Sequence, residues 1–512
     1  MIDSEILEFL GGRGLAAESV MYAYVREWEA WWRGKNKAFH EYLENNAMGR
    51  PVRREMFRMN MAKKICEDWA TVLCNDKTRI TTGDAALDRV LFGGDGGQDG
   101  VLTQGRFRGR LHAFTEQVFA LGTGAAVVTP AGAEYDDGDM LVRAEGMAVD
   151  FLPADQIVPL QIENGEIVSC AFLGAPLIGM TDSGDGDFPD DAWDGPDADA
   201  DAWDEDFEPD DTPPAMLLSV HCRCGTGMWS VTNYALDESY RMTALPYGIK
   251  PFFFTACPLF AILTPNSQPT DPLAAAHGMG ESIFACAYDN LKGVDLAYNN
   301  FCRDLYLGGK KVFMNRELIG EDRFGNRVAP DDVAQQLFMT VGDGDLAADT
   351  MIVEHNPALR AAENCTALQA QLDYLSFKVG FGTRHYRFAD DRVVTATQYA
   401  GERQEMFRNA SRHYLHMEQF LRTLARIAWY IAHDLHAAAL PDGTAEPVRI
   451  TVDFDDSFFI DPAAERARDL SEVHAGILAP WEYRVRHYGD TEAHARTITE
   501  MLHRTKENKT ES

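Results

Sequence analysis

The chain has 512 residues, 46% of them hydrophobic, and a formal net charge of -33 from 80 Asp or Glu against 47 Lys or Arg. That length predicts several subdomains rather than one compact core. That charge excludes tight nucleic-acid binding over a broad surface, which needs clustered cations. Nine cysteines, an odd number scattered along a long chain, argue against a disulfide framework.

The opening residues, Met1 to Glu5, are acidic and lack the basic and apolar regions of a secretion signal, so a soluble intracellular product is expected. Hydrophobic spacing predicts helices over Val20 to Trp32 and Arg54 to Leu73, the second with Met61, Ile65, Trp69 and Val72 on one face. The glycine-rich stretch Gly93 to Gly100 lacks a strand-to-helix setting and reads as a loop. A helix over Leu111 to Leu121 stops at Gly122-Thr123-Gly124, and strands follow from about Ala125. Asn164-Gly165, between apolar pairs, is a hairpin signal. The longest apolar run, Pro251 to Leu263, is too short to span a bilayer.

Residues 182-214 hold fifteen acidic residues and no Lys or Arg, leaving -18 for the remainder. This run sits ahead of the strand signal Met216 to Val220, so it reads as a solvated, disordered insertion between two strands. It repeats Asp191-Ala-Trp-Asp194 as Asp201-Ala-Trp-Asp204. Asp197, Asp199, Asp201, Trp203, Glu205 and Glu208 also fall at calcium-loop positions, but Ala202 replaces the turn glycine and no flanking helices are apparent. His221-Cys222-Arg223-Cys224 precedes a Gly225-Thr226-Gly227 turn without a second ligand pair, so it reads as strand rather than zinc site.

After a Pro-rich linker (Pro265 to Pro272), Ile283, Ala287, Leu291, Val294, Tyr298, Phe301 and Leu305 mark a long helix of roughly 35 Å. It stops at Gly308-Gly309, and Lys310-Lys311-Val312 opens a small mixed α/β segment. A returning helix over Pro357 to Phe381 carries Leu368, Leu372, Leu375 and Val379. The loop Gly382 to Arg392 then collects Arg384, His385, Arg387 and Arg392, a basic cluster in an acidic chain. Thr395-Ala396-Thr397-Gln398 is a capping box opening a very long helix, with Met417, Leu421, Leu424, Ala428, Ile431 and Leu435 as its buried stripe and Gly401 as a candidate kink. A strand over Val448 to Phe454 and short helices over Ala463 to Ile477, Trp481 to Tyr488 and Thr491 to Leu502 complete the chain, with Lys506 to Ser512 expected to fray.

Several blocks resemble the portal proteins of tailed bacteriophages with long non-contractile tails. They are Met61-Ala-Lys-Lys-Ile-Cys-Glu-Asp-Trp69, Asp289-Asn-Leu-Lys-Gly-Val-Asp-Leu-Ala-Tyr298, Leu307-Gly-Gly-Lys-Lys-Val-Phe-Met314, Val394-Thr-Ala-Thr-Gln398, and Asp453-Phe-Asp-Asp-Ser457 followed by Ala475-Gly-Ile477. The resemblance runs from about residue 15 to 500; the acidic insertion departs from the family pattern. It implies an α+β, mainly helical portal fold with wing, stem, clip and crown regions, assembled as a closed ring, usually of twelve. On this sequence, residues 1-277 become the wing, 278-307 and 357-381 the stem helices, and 308-356 the clip. Residues 382-396 become the channel loop, 397-460 the long helix and wing strand, and 461-512 the crown and tail.

The resemblance further implies a place at one capsid vertex of the virion, where double-stranded DNA is packaged and later ejected. Its implied partners are the terminase large subunit, a head-tail adaptor, the major capsid and scaffolding proteins, and DNA touched transiently. An acidic channel wall keeps a moving duplex from being held, while Arg384, His385, Arg387 and Arg392 are the candidate loop contacts. The same arginines could equally pair with Asp390, Asp391 or a neighbouring subunit. Lys292, Lys310 and Lys311 are candidate channel or clip residues, with solvent-facing lysines the plainer reading.

No Gly-x-x-x-x-Gly-Lys-Ser/Thr loop is present, and His413 with His416 and His433 with His436 lack a third ligand, so they read as surface histidines. No enzyme, metal, cofactor or membrane is expected. The reading from a different class is a calcium-dependent acidic interaction protein scaffolded by the helices.

Overall fold

The computed structural model describes the chain apart from residues 1, 3, 16-19, 46-50, 75-77, 95-98, 177-215, 226, 238, 247-248, 268, 271-277, 309-310, 316-319, 322-326, 329-337, 342-351, 389-395, 441-449, 455-461 and 511-512. Within its elements, the side chains of 175-176, 307, 311-353, 355, 396-404, 462-465 and 502-510 also fall outside the description. The fold is α+β, with more helix than strand.

The N-terminal part begins with α1 (Ser4–Gly11), α2 (Val20–Trp32) and the short α3 (Lys37–His40). Strand β1 (Glu41–Asn45) pairs antiparallel with β2 (Pro51–Glu55), and α4 (Met61–Leu73) follows. The expected helix from Arg54 therefore starts later. Arg53 and Arg54 lie in a strand opposite β1, ion-paired with Glu41 and Glu44, and Asn60 adopts φ 55° immediately before α4. The apolar face of α4 is as predicted, with Met61, Ile65, Trp69 and Val72 all buried.

Next come β3 (Arg79–Thr81), α5 (Ala85–Phe92) and α6 (Phe107–Leu121), which ends at Gly122 in the left-handed region. A Cβ on Gly122 would lie 2.6 Å from the Gly280 carbonyl oxygen, so the stop glycine is also a close backbone crossing. Strand β4 (Gly124–Ala131) leads to β5 (Glu134–Tyr135), β6 (Leu141–Arg143) and β7 (Gly146–Pro153). Then β8 (Ile157–Glu163) and β9 (Glu166–Pro176) form the hairpin expected at Asn164-Gly165, whose φ values of 53° and 83° suit a two-residue turn.

Strand β9 also pairs antiparallel with β10 (Met216–Arg223), so the acidic run joins two adjacent strands as predicted; the run itself lies outside the described residues. Strand β11 (Trp229–Leu236) pairs back on β10, putting His221, Cys222 and Arg223 in a strand. Strands β12 (Met242–Thr243), β13 (Phe252–Thr255) and β14 (Phe260–Leu263) follow. The resulting sheets run β12-β11-β10-β9-β8, with β13 on β11, and β14-β4-β7. Phe172 and Ile157 of the first sheet and Ala125, Val127 and Phe260 of the second share one apolar layer. The other side of the first sheet buries Ile6 and Leu10 of α1.

Helix α7 (Tyr288–Leu307) opens the second half, and β15 (Lys311–Asn315) to β19 (Ile352–His355) follow it. Between them lie β16 (Gly320–Glu321), β17 (Arg327–Val328) and β18 (Phe338–Val341). Strand β15 pairs parallel with β18 and antiparallel with β19. Helix α8 (Ala361–Lys378) returns, and α9 (Ala396–His433) spans 38 residues, roughly 57 Å. It is continuous through Gly401, while the proposed cap residue Thr395 lies outside the described residues. The predicted stripe from Met417 to Leu435 is buried throughout. It joins α4, α6, the N-terminal part of α7 and the C-terminal half of α8 in one core, where each fully buried Leu or Phe contributes about 1.5–3 kcal/mol.

Strand β20 (Thr451–Asp453) pairs with β3 across some 370 residues of sequence. Helices α10 (Pro462–His474), α11 (Pro480–Tyr488) and α12 (Glu492–Thr510) close the chain. Helix α12 persists through Thr510, past the predicted fraying point at Lys506. Among the described residues, no helix is long and apolar enough to cross a membrane.

Candidate functional site

Helices α7 and α8 form an antiparallel hairpin that carries β15 to β19 at its far end. A Cβ on Gly293 would lie 2.5 Å from the Gln371 side-chain oxygen, so glycine sets the close approach of the two helices. Further out, Asp304 accepts from the Arg360 guanidinium at 2.8 Å and the Asn364 amide at 3.0 Å. Leu291 and Val294 are buried with Leu368, Leu372 and Leu375. Helix α7 begins at Tyr288 rather than upstream of Ile283, because a 3₁₀ turn occupies Ala285–Ala287; α8 likewise begins at Ala361 rather than Pro357.

The base of the hairpin is fixed by buried polar contacts that the apolar stripe does not reveal. Asp295 accepts from the Met59 backbone N–H at 2.9 Å and meets His40 Nε2 at 2.9 Å, while Asn299 accepts from the Phe57 N–H at 3.1 Å. His40, Asp295 and Asn299 are all buried. Their sequence signal is Asp295 itself, an acid beside Val294 on an otherwise apolar helix face.

The basic loop emerges from the end of α8 and folds back on it. Gln369 donates to the Tyr386 carbonyl at 2.9 Å and accepts from the Phe388 N–H at 2.8 Å. Ser376 Oγ accepts from the Tyr386 N–H at 3.2 Å. The His385 ring stacks on Phe381 at 4.3 Å, and Phe381 stacks on Trp69 at 4.6 Å. Trp69 donates to the Val379 carbonyl at 3.1 Å, tying the loop base to α4.

Charge reinforces this anchor. Asp68 is half-buried, which raises its carboxyl, but the neighbouring His385, the Lys64 ammonium that donates to it at 2.5 Å and the nearby Tyr386 phenol outweigh that and hold it below the usual range. The buried Tyr386 phenol is pushed well above its ordinary value, first by burial and then by the Asp68 charge. Arg384 sits at φ 67°, and Arg387 Nε donates to the Arg384 carbonyl at 3.2 Å.

Of the predicted basic residues, Arg384 and Arg387 are brought together on one exposed turn, while His385 lies 3.9 Å from Asp68. Lys292 forms an ion pair with Asp289 on its own helix at 3.7 Å. Arg392 and Lys310, with Asp390 and Asp391, lie outside the described residues; Lys311 is in β15 and its side chain is not described. Among the C-terminal helices, Asp469 in α10 meets His487 of α11 at 3.0 Å.

A further surface was missed in the sequence. Leu296, Leu305 and Tyr306 on α7, and Leu359, Tyr374 and Phe377 at or on α8, are exposed, Tyr306 at 72%. Leu305 therefore leaves the predicted buried stripe: α7 runs out along α8 and β1, and its outer side stays open. These six are a third of the eighteen large apolar side chains that are exposed among the described residues. Leu296 and Tyr306 lie off the predicted α7 stripe, whereas Leu305 lies on it.

Of the histidine pairs, His433 and His436 are exposed as expected, but His413 differs. His413 is buried, not at the surface. It packs edge-on to Trp69 at 4.9 Å and accepts from the Asn266 N–H at 3.1 Å, and burial lowers its pKa to about 3. His416 faces Thr264 at 3.3 Å, and His433 stacks on Trp429 at 4.6 Å. His221 is buried too, with its pKa lowered by burial to about 3. These rings pack and hydrogen-bond within the fold. Among the described residues no group of three or more His, Cys, Asp or Glu is placed to hold a metal ion.

No protein-family model matches the sequence, and no curated protein matches it. Among solved structures, the chain is similar to one in the neck of a native GTA particle computed with C12 symmetry. The TM-score is 0.32 and the identity 12%, over 83% of this chain and 89% of that one.

Proposed function

We propose that this chain is a portal subunit: copies close into a ring, usually of twelve, at one capsid vertex, and the central channel passes double-stranded DNA. The observation that carries the reading is the α7–α8 hairpin. It is anchored by buried polar bonds, bears a small β segment at its end, and leaves Leu296, Leu305, Tyr306, Leu359, Tyr374 and Phe377 exposed at intervals along it. A monomer gains nothing from those exposed side chains, whereas the same hairpin repeated around an axis can cover them with its neighbours. The turn holding Arg384 and Arg387 follows directly from α8, where a ring would present it as a circle of cations. In this reading the β15 to β19 region is the clip that meets the packaging motor and later the tail adaptor. The protein acts as a conduit rather than an enzyme.

The sparse cations suit such a conduit. Exposed guanidiniums in an acidic wall give weak, salt-screened phosphate contacts that reset as DNA slides. The test is assembly: Tyr306→Glu with Phe377→Glu should abolish the ring and leave a folded monomer. A ring that persists in this double variant removes the hairpin band from the interface.

A further inference from the structure

A cleft of about 790 Å³ opens between β3, α5 and the start of α6. Its rim carries Arg79, Arg89 and Arg108, all exposed, together with His112. Its floor is apolar, formed by Leu73, Phe92, Phe107, Leu111 and Leu421. Among the described lining residues only Asp88 and Asp453 are acidic. Asp88 is engaged within its own turn, accepting from the Thr81 hydroxyl at 2.6 Å, the Thr82 N–H at 2.6 Å and the Thr82 hydroxyl at 2.7 Å. Asp453 stands opposite Arg79 in the β3–β20 pair. Among the described lining residues three arginines thus face two carboxylates, in a chain of net charge -33.

The walls are built rather than incidental. Asp84 caps α5 by accepting from the Ala86 and Leu87 amides. The chain beyond Gly100 is pinned to the end of α5 by Leu102 N–H donating to the Leu91 carbonyl at 2.9 Å. Strand β3 is fixed by β20. Arg89 lies along Gly94, where a Cβ would stand 3.6 Å from its Cγ.

We propose that this cleft binds a mononucleotide-sized organic phosphate, with the phosphate on the guanidiniums and the planar ring on the apolar floor. Guanidinium forks match phosphate oxygens in pairs. The volume falls within the roughly 300–1,000 Å³ of small-molecule sites. A duplex presents its phosphates on a broad convex surface and would leave the floor uncovered, whereas a mononucleotide covers rim and floor together. This goes beyond the conduit reading and does not depend on it; an empty cleft would leave ring assembly untouched.

The test is titration calorimetry of the full chain with AMP, inorganic phosphate and a short DNA duplex. AMP is expected to bind more tightly than phosphate, and about tenfold more weakly to the Arg79→Ala, Arg89→Ala double variant. Arg89→Lys keeps the charge but loses the fork; its expected intermediate affinity supplies the comparison should the double variant not fold. No AMP binding, equal binding of AMP and phosphate, or equal AMP affinity across the variants would each overturn the proposal. Displacement of AMP by the duplex at matched phosphate concentration would also overturn it and assign the cleft to nucleic acid.

Discussion

Gln369→Ala should loosen the basic loop without unfolding the protein. The wild-type side chain makes two hydrogen bonds to the loop backbone, at 2.9 Å to the Tyr386 carbonyl and 2.8 Å from the Phe388 N–H. At about 1 kcal/mol net each, their loss weakens the closed loop by about 2 kcal/mol, or roughly 30-fold in its opening equilibrium. Ser376 still holds the Tyr386 N–H and the Phe381–Trp69 stack still anchors the base, so the change stays local. Limited trypsinolysis reads this directly, because Arg384 and Arg387 lie in the segment and cleavage follows the open population when reclosing is fast. Fragments cut after either arginine, followed by mass spectrometry, should appear roughly 30-fold faster in Gln369→Ala. Gln369→Glu keeps the acceptor for Phe388 but sets a carboxylate against the Tyr386 carbonyl and the Asp373 carboxylate, to both of which the wild-type amide donates, and should be cut at least as fast as Gln369→Ala. Equal cleavage rates in all three proteins would show that the loop is not held by α8 and would refute the reasoning.

Other consequences follow from the same contacts. The exposed hairpin positions contribute little within one chain, so Tyr306→Glu and Phe377→Glu should shift monomer stability by no more than about 0.5 kcal/mol while blocking assembly, as circular dichroism and light scattering would show. Arg384→Ala, Arg387→Ala and Arg392→Ala together should leave assembly intact and impair DNA packaging or retention; normal packaging by that variant would remove the loop from the DNA contacts. Acid should destabilise the fold through His413, whose folded pKa of about 3 lies below its ordinary 6.5. The unfolded state then binds more protons between those values, so the His413 contribution is fully present above pH 6.5 and declines as pH falls toward 3. At pH 5 the loss is about 2 kcal/mol, and chemical denaturation of His413→Gln should show a correspondingly shallower decline than wild type between pH 6.5 and 5.

Much of the scaffold was legible because local chemistry agreed with the final fold. Asn164-Gly165 can adopt the positive φ values of a tight hairpin, Gly122 can close α6 in the left-handed region, and the α4 and α9 stripes have an unbroken helical period. What stayed hidden depends on partners distant in sequence. Arg54 looks helical until β1 pairs with it, and β3 is too short to stand out without β20. His413 reads as surface until Trp69 and Asn266 surround it. The basic turn was visible as composition, but not the Gln369, Ser376 and Asp68 contacts that orient it. The exposed apolar side chains of the hairpin were not legible: Leu305 keeps the helical period and reads as core, and only the packing of α7 against α8 and β1 shows that it stays open.

The central claim is closed assembly, and native mass spectrometry of the purified chain tests it most directly. Twelve copies of the 57.0 kDa chain give about 684 kDa, and a single species at that mass, or one subunit to either side, is the predicted result. A protein that remains monomeric at high concentration, or that grows into an open series of lengths without closing, would contradict it.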